Sequence, residues 1–189
     1  MPFLIAGVVL WSVTHLMPAM HPPLRARLVQ QLGAGPYKGL FSLDIVIALV
    51  LIVVGWRSSA VTPVYTPPLS VGPWILVLML ISVVLFVAAS MPTNIKRRIR
   101  HPQMTAVIAW SLAHLLSNGD SRSVVLFGGL GLWAMLEIVM INRRDGAWTV
   151  PQAVSRNRDL AVLLLGGAAF LALMYFHGAL FGPSLPSYF

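Results

Sequence analysis

Apolar runs of membrane-spanning length, separated by basic clusters, constrain this chain more than any other feature. A helix that crosses a bilayer needs about 20 mostly apolar residues, within a range of about 17–25. The runs cover residues 2–20, 39–56, 72–91, 103–117, 122–141 and 159–181. Pro22-Pro23 closes the first run, Pro92 the third, and Asn118-Gly119-Asp120 the fourth, which is short. Only 10% of the residues are charged and the mean hydropathy is +0.83, whereas soluble domains carry about 25% charged residues. A soluble core cannot absorb this apolar surface, so lipid must cover part of it. The expected fold is an all-α integral membrane protein: a six-transmembrane-helix bundle in one domain over residues 1–189.

The loops orient that bundle. Eleven of the 13 Lys and Arg lie after the first, third and fifth runs: Arg25, Arg27 and Lys38, then Lys96, Arg97, Arg98 and Arg100, then Arg143, Arg144, Arg156 and Arg158. Arg57 and Arg122 are the two on the other side, and the tail after residue 181 has none. Basic residues gather on the cytoplasmic side, so both termini are expected outside. The location is then the inner (cytoplasmic) membrane, with the lipid bilayer as first partner. A re-entrant fourth segment would set the fifth and sixth against this rule. The first run lacks a preceding basic stretch and a following small-residue cleavage site, so it reads as a retained helix. Net charge is +8, but a basic stripe for nucleic acid would not be broken by membrane-length segments. No nucleic-acid partner is expected.

The chain has no cysteine, which excludes disulfides, Cys-ligated zinc, Fe–S clusters and thiolate-bound haem supplied by this chain. No phosphate loop, dinucleotide fingerprint, nucleophile elbow or HExxH zinc motif is present. Attention falls instead on ionisable groups inside apolar runs, which are costly there and often mark function. These are His15, Asp44, His114, Glu137 and His177.

His15 and His114 stand out. Trp11-Ser12-Val13-Thr14-His15-Leu16 matches Trp110-Ser111-Leu112-Ala113-His114-Leu115 at Trp, Ser, His and Leu. The first run points inward and the fourth outward, so helices 1 and 4 carry an inverted similarity. Structural equivalence and convergence on one local need are both open. By helical rise, His15 lies about 8–9 Å and His114 about 16 Å from the cytoplasmic ends of their segments. Neutral imidazole is a common haem ligand and an apolar aromatic pocket suits porphyrin. The competing readings are a histidine bonded to a nearby carbonyl or hydroxyl, and a proton relay.

The other candidates have blander readings beside the functional ones. Asp44 could orient a histidine, or pair with Arg25, Arg27 or Lys38 near a helix start. Glu137 is expected to meet Arg97, Arg98 or His101. His101, beside Pro102 and Arg100, either caps a helix start or contacts a phosphate, a propionate or a headgroup. His21 and His177 read as interfacial. Gly128, Gly129, Gly131, Gly166 and Gly167 read as packing devices, and Met17 and Met20 as gap-fillers.

The Trp11–Leu16 opening, the Arg100-His101-Pro102-Gln103 entry, the Trp110–Leu116 core and the Asn118-Gly119-Asp120 exit resemble the NnrU family. So do Leu126-Phe127-Gly128-Gly129 and Asn142-Arg143-Arg144-Asp145-Gly146, and the resemblance covers nearly the whole chain. It implies an association with nitrate, nitrite and nitric oxide reduction, and a membrane redox or denitrification partner. NnrU proteins are also similar to the plant ζ-carotene isomerase, an integral membrane haem b protein. That likeness implies haem b between helices 1 and 4, with His15 and His114 as iron ligands, serving either redox chemistry or lipid isomerisation in the membrane. Trp11, Trp110, Ser111, Arg100 and His101 would lie around the cofactor. Ser111 stands where the isomerase has a cysteine able to exchange with histidine at iron, which argues against the same redox-switched isomerisation. A haem-free accessory or assembly protein for denitrification enzymes is the alternative. The Arg-His-Pro entry also resembles isoprenylcysteine-type methyltransferases, which implies an S-adenosylmethionine site around His101, Arg100 and Glu137.

Overall fold

The computed structural model describes residues 1–181. Among these described residues seven helices follow in order: α1 (Pro2–Met20), α2 (Pro22–Leu32), α3 (Ala34–Ser58), α4 (Gly72–Ser90), α5 (Pro102–Ser117), α6 (Ser121–Asp145) and α7 (Arg156–Phe181). Short 3₁₀ turns occupy Leu69–Val71 and Asn94–Arg97. Among the described residues there is no strand, only an isolated antiparallel bridge between Pro63 and Asp120. Helices α1, α3, α4, α6 and α7 are long and apolar enough to cross a membrane. Helix α5 has 16 residues, short of that length. The expected side of the C-terminus concerns a tail outside the described residues.

Prolines start helices here. Pro2, Pro22, Pro73 and Pro102 sit in first turns, where the missing N–H has no intrahelical partner to lose. Pro22-Pro23 therefore does two things. It closes α1, as expected, and it opens α2, an amphipathic helix that the proline pair hid. Gly33 at φ 85° then turns the chain into α3, a left-handed conformation that glycine adopts without strain.

The chain forms two compact units. Unit 1 is Met1–Tyr65 with Gly119–Ala147, and unit 2 is Thr66–Asn118 with the chain from Trp148 onward. In unit 1, α1 packs on both α3 and α6. The α1–α3 contact is made by backbone approach. A Cβ on Gly7 would lie 2.7 Å from the Ile52 nitrogen and 2.8 Å from the Ala48 oxygen, and one on Gly55 would fall on the Leu4 backbone. Leu4 and Ala48 are completely buried as a result. In α6, a π-helical turn over Val124–Gly128 carries Phe127, which packs edge-on to Trp56 at 6.1 Å.

The Gly119-Asp120 part of the motif is structural in unit 1. The Gly119 carbonyl accepts from the Val64 and Tyr65 amides at 2.7 and 3.1 Å, and the Ser121 amide donates to Thr62 at 2.8 Å. Asp120 caps α6 by accepting from the Arg122 and Ser123 amides and, at 2.6 Å, from the Ser123 hydroxyl. Arg122 lies 4.5 Å over the Trp56 ring and donates to the Trp56 carbonyl at 3.2 Å.

In unit 2, α4 packs on both α5 and α7. The buried Ser82 hydroxyl donates to the Ala106 carbonyl of α5 at 2.8 Å. A Cβ on Gly166 of α7 would lie 2.9 Å from the Val84 Cα. Asp159 accepts from the Thr93 hydroxyl (2.6 Å), the Asn94 amide (2.7 Å) and the Asn94 side chain (2.7 Å). That clasp fixes the turn bearing Lys96 and Arg97 to the start of α7.

Candidate functional site

His15 lies two-thirds of the way along α1. Its Nδ1 is 2.9 Å from the Trp11 carbonyl, one turn earlier. A carbonyl can only accept, so Nδ1 carries the proton and Nε2 carries the lone pair of the neutral ring. Three aromatic rings enclose the imidazole. Trp11 stacks at 4.3 Å between centroids, while Trp133 of α6 and Phe41 of α3 meet it edge-on at 5.1 and 5.7 Å. Trp133 also meets Trp11 at right angles, 5.7 Å away. Helices α1, α3 and α6 thus each contribute a ring to one aromatic cage.

Glu137 stands one turn beyond Trp133 and is 9% exposed. The Trp133 indole N–H faces the Glu137 carboxyl, while the buried indole nitrogen of Trp11 has no hydrogen-bond partner. An unpaired polar atom is costly in an apolar setting, so this one, beside His15, marks a place suited to a polar or polarisable guest. Sequence reasoning had singled out Glu137 but not Trp133 or Phe41. The signal was available: Trp133 precedes Glu137 by four residues, as Trp11 precedes His15 and Trp110 precedes His114.

His114, on α5 of unit 2, repeats the local arrangement. Its Nδ1 is 2.9 Å from the Trp110 carbonyl, which sets the same tautomer. Trp110 lies 5.0 Å away, tilted by 52°. His177 of α7, expected to be merely interfacial, lies within electrostatic range of His114. Ser111 is 2% exposed, and its hydroxyl has no hydrogen-bond partner. Asn118 ends α5 by donating to the His114 carbonyl from both its amide (2.8 Å) and its side chain (3.0 Å).

The remaining expected residues fall elsewhere. His101 and Arg100 are half-buried at the N-terminal end of α5, about 20 Å of helix from His114. The His101 carbonyl accepts from the Thr105 amide and hydroxyl, which is a helix-start role. Asp44 is exposed. Among the described residues the ion pairs are Arg122–Asp120 and Arg144–Asp145. Asp44 is not among them, so the pairing expected with Arg25, Arg27 or Lys38 is not formed. Within its unit α1 packs on both α3 and α6, whereas α5 packs on α4; the likeness of the two helices lies in the shared Trp–His geometry.

No group of three or more His, Cys, Asp or Glu among the described residues could hold a metal ion. A bare cation needing a full protein ligand set has no cage here. Haem iron differs, because the macrocycle supplies four ligands and the protein one or two. Each imidazole, with Nδ1 bonded to a carbonyl, is oriented as ligating histidines are and leaves Nε2 as the lone-pair nitrogen.

Fold and site together define a multi-pass, all-helical membrane protein with two tryptophan-flanked histidines of like geometry. The family model for NnrU protein matches residues 3–185, through both units and all seven helices. The chain belongs to the NnrU family. No curated protein and no solved structure matches it.

Proposed function

We propose that this NnrU-family protein binds haem b through His15 and His114 and serves membrane redox chemistry linked to nitrogen-oxide reduction. The observation that supports this reading best is the repeated tautomer lock: each Nδ1 lies 2.9 Å from the carbonyl of a tryptophan four residues earlier. When bound, haem supplies reversible one-electron chemistry at its iron. The chain's own residues do the rest. The Trp11 and Trp110 carbonyls hold the rings and keep each Nε2 in its ligating form. Trp11, Phe41 and Trp133 exclude water around His15. The buried Glu137 carboxyl is a proton acceptor or donor within the same unit.

The proposal includes six spans, with α5 as the short sixth, both termini outside and an inner-membrane location. The alternation of basic loops supports it. Because the chain lacks cysteine, single cysteines can map it directly. A cysteine at Arg57 should react with an impermeant maleimide added outside cells, and one at Arg98 should not. The reverse pattern would overturn the orientation.

The haem reading is tested by purifying the protein in detergent after haem-replete expression and recording oxidised and reduced visible spectra. A stoichiometric Soret band, abolished in both His15→Ala and His114→Ala, is expected. A colourless wild type would sink the haem reading. Loss in only one variant would leave a single protein ligand and overturn the pairing.

A further inference from the structure

Unit 1 also contains a groove that shares only Phe41 with the aromatic cage around His15. It has a volume of about 350 Å³ and is lined by Pro18, Arg25, Tyr37, Lys38, Phe41 and Ser42. These residues come from the end of α1, the first turns of α2 and the start of α3. The groove thus lies where a membrane-length helix ends and the next begins, at the boundary between apolar and polar surroundings.

Its chemistry is one-sided. Two cations line it and no acid does. Neither Arg25 nor Lys38 is in an ion pair among the described residues, and Asp44, further along α3, does not line the groove. The Tyr37 hydroxyl is buried and lacks a hydrogen-bond partner, so a donor stands ready beside the two charges. Ser42 adds a second hydroxyl. Pro18 and Phe41 make the remaining wall apolar.

Helix α2 has the form that such a place requires. Leu24, Leu28 and Leu32 recur every four residues along it, with Arg25 and Arg27 between them, and none of its residues is buried by protein. A short helix with an apolar stripe and basic flanks lies in the headgroup layer. Basic residues there attract anionic headgroups.

We propose that this groove binds the phosphate group of an anionic phospholipid, held by Arg25, Lys38 and the Tyr37 hydroxyl, with the acyl chains leaving past Pro18 and Phe41. A free phosphate would use the same donors but not the apolar wall. The proposal is independent of haem.

Native mass spectrometry of the detergent-solubilised protein, incubated with equimolar phosphatidylglycerol and phosphatidylcholine, tests it. The wild type should retain phosphatidylglycerol preferentially. Arg25→Gln and Lys38→Gln should each lower that retention about fivefold, the effect of one basic residue at a membrane surface, and Tyr37→Phe should lower it less. Arg27→Gln, on the same helix outside the groove, should leave it unchanged. Equal retention of the two lipids by the wild type, or wild-type retention by both single-cation variants, would overturn the proposal. Displacement of the lipid by millimolar inorganic phosphate would reassign the groove to free phosphate. Arg25 and Lys38 are exposed, so the single variants should fold, and helicity by circular dichroism checks this before binding is read.

Discussion

His15 and His114 share a local plan but not an environment. Each ring is tied to the carbonyl of a tryptophan one turn earlier. Around His15 that plan is completed by rings from two other helices. Around His114 the added features are a buried serine hydroxyl and a second histidine. The units that hold them are also assembled differently. Backbone approach at Gly7 and Gly55 seats α3 on α1, and among the described residues no side-chain hydrogen bond joins those helices. A serine hydroxyl ties α5 to α4, and an aspartate clasp ties the start of α7 to the turn after α4. A four-residue motif can therefore fix a ring's tautomer, while the fold decides what that ring faces.

This contrast is most exposed to a change at Gly7. In lipid, helix association depends on close packing because tails are as apolar as side chains. Gly7→Leu places a branched side chain where even a Cβ meets the Ile52 and Ala48 backbone at 2.7–2.8 Å. Backbone cannot step aside cheaply, so the cost should reach about 3 kcal/mol, the upper end for overpacking. Thermal unfolding in detergent measures it. Gly167→Leu is the control in unit 2, since a Cβ there meets open space. If both variants melt with the wild type, glycine approach is not what holds unit 1.

The two aspartates give the next comparison. Asp159 accepts donors from residues about 65 positions away in the chain, whereas Asp120 caps its own helix. Burial pushes the Asp120 carboxyl up, but the Ser123 hydroxyl, the Ser123 and Arg122 amides and the Arg122 charge outweigh it and hold it below its ordinary value. A folded-state value below the unfolded one, about 3.9, stabilises the fold at higher pH. That contribution is lost as pH falls below about 4, through the folded value. Asp120→Ala should cost about 1 kcal/mol near neutrality, as helix caps do. It should also flatten the fall in melting temperature between about pH 5 and 3. An unchanged acid profile would show that the cap contributes nothing.

Parts of this arrangement were legible in the chain and parts were not. Helix positions followed from apolar length, and α5 was short in both views. The Trp–His faces were readable because they depend on i, i+4 spacing alone. Of the glycines read as packing devices, Gly129 and Gly166 meet neighbouring helices, at Val8 and Val84, whereas a Cβ on Gly128 or Gly167 would meet open space. Gly7 and Gly55 were missed because an isolated glycine in an apolar helix carries no periodic signal. Helix α2 was hidden because a proline pair stops one helix and starts another by the same physics. The joining of Trp133, Phe41 and His15, like the clasp at Asp159, links residues far apart in sequence. No local pattern reports such contacts.

The smallest effect separates the units most directly. Ser82 is fully buried, and its hydroxyl donates a hydrogen bond from α4 to the Ala106 carbonyl of α5. Interhelical bonds of this kind average about 0.6 kcal/mol in membrane proteins, because the separated helices also find partners for their polar groups. Ser82→Ala removes the donor with almost no change in volume, while the Ala106 carbonyl keeps its place in the helix ladder. The expected loss is therefore about 0.6 kcal/mol, read as a small drop in melting temperature. Thr14→Ala is the matched change in unit 1, at a threonine that is likewise buried and for which no interhelical hydrogen bond is seen among the described residues. Its loss should be smaller still. Equal losses would mean that small buried polar residues act through packing in both units, and that the hydrogen bond does not distinguish them.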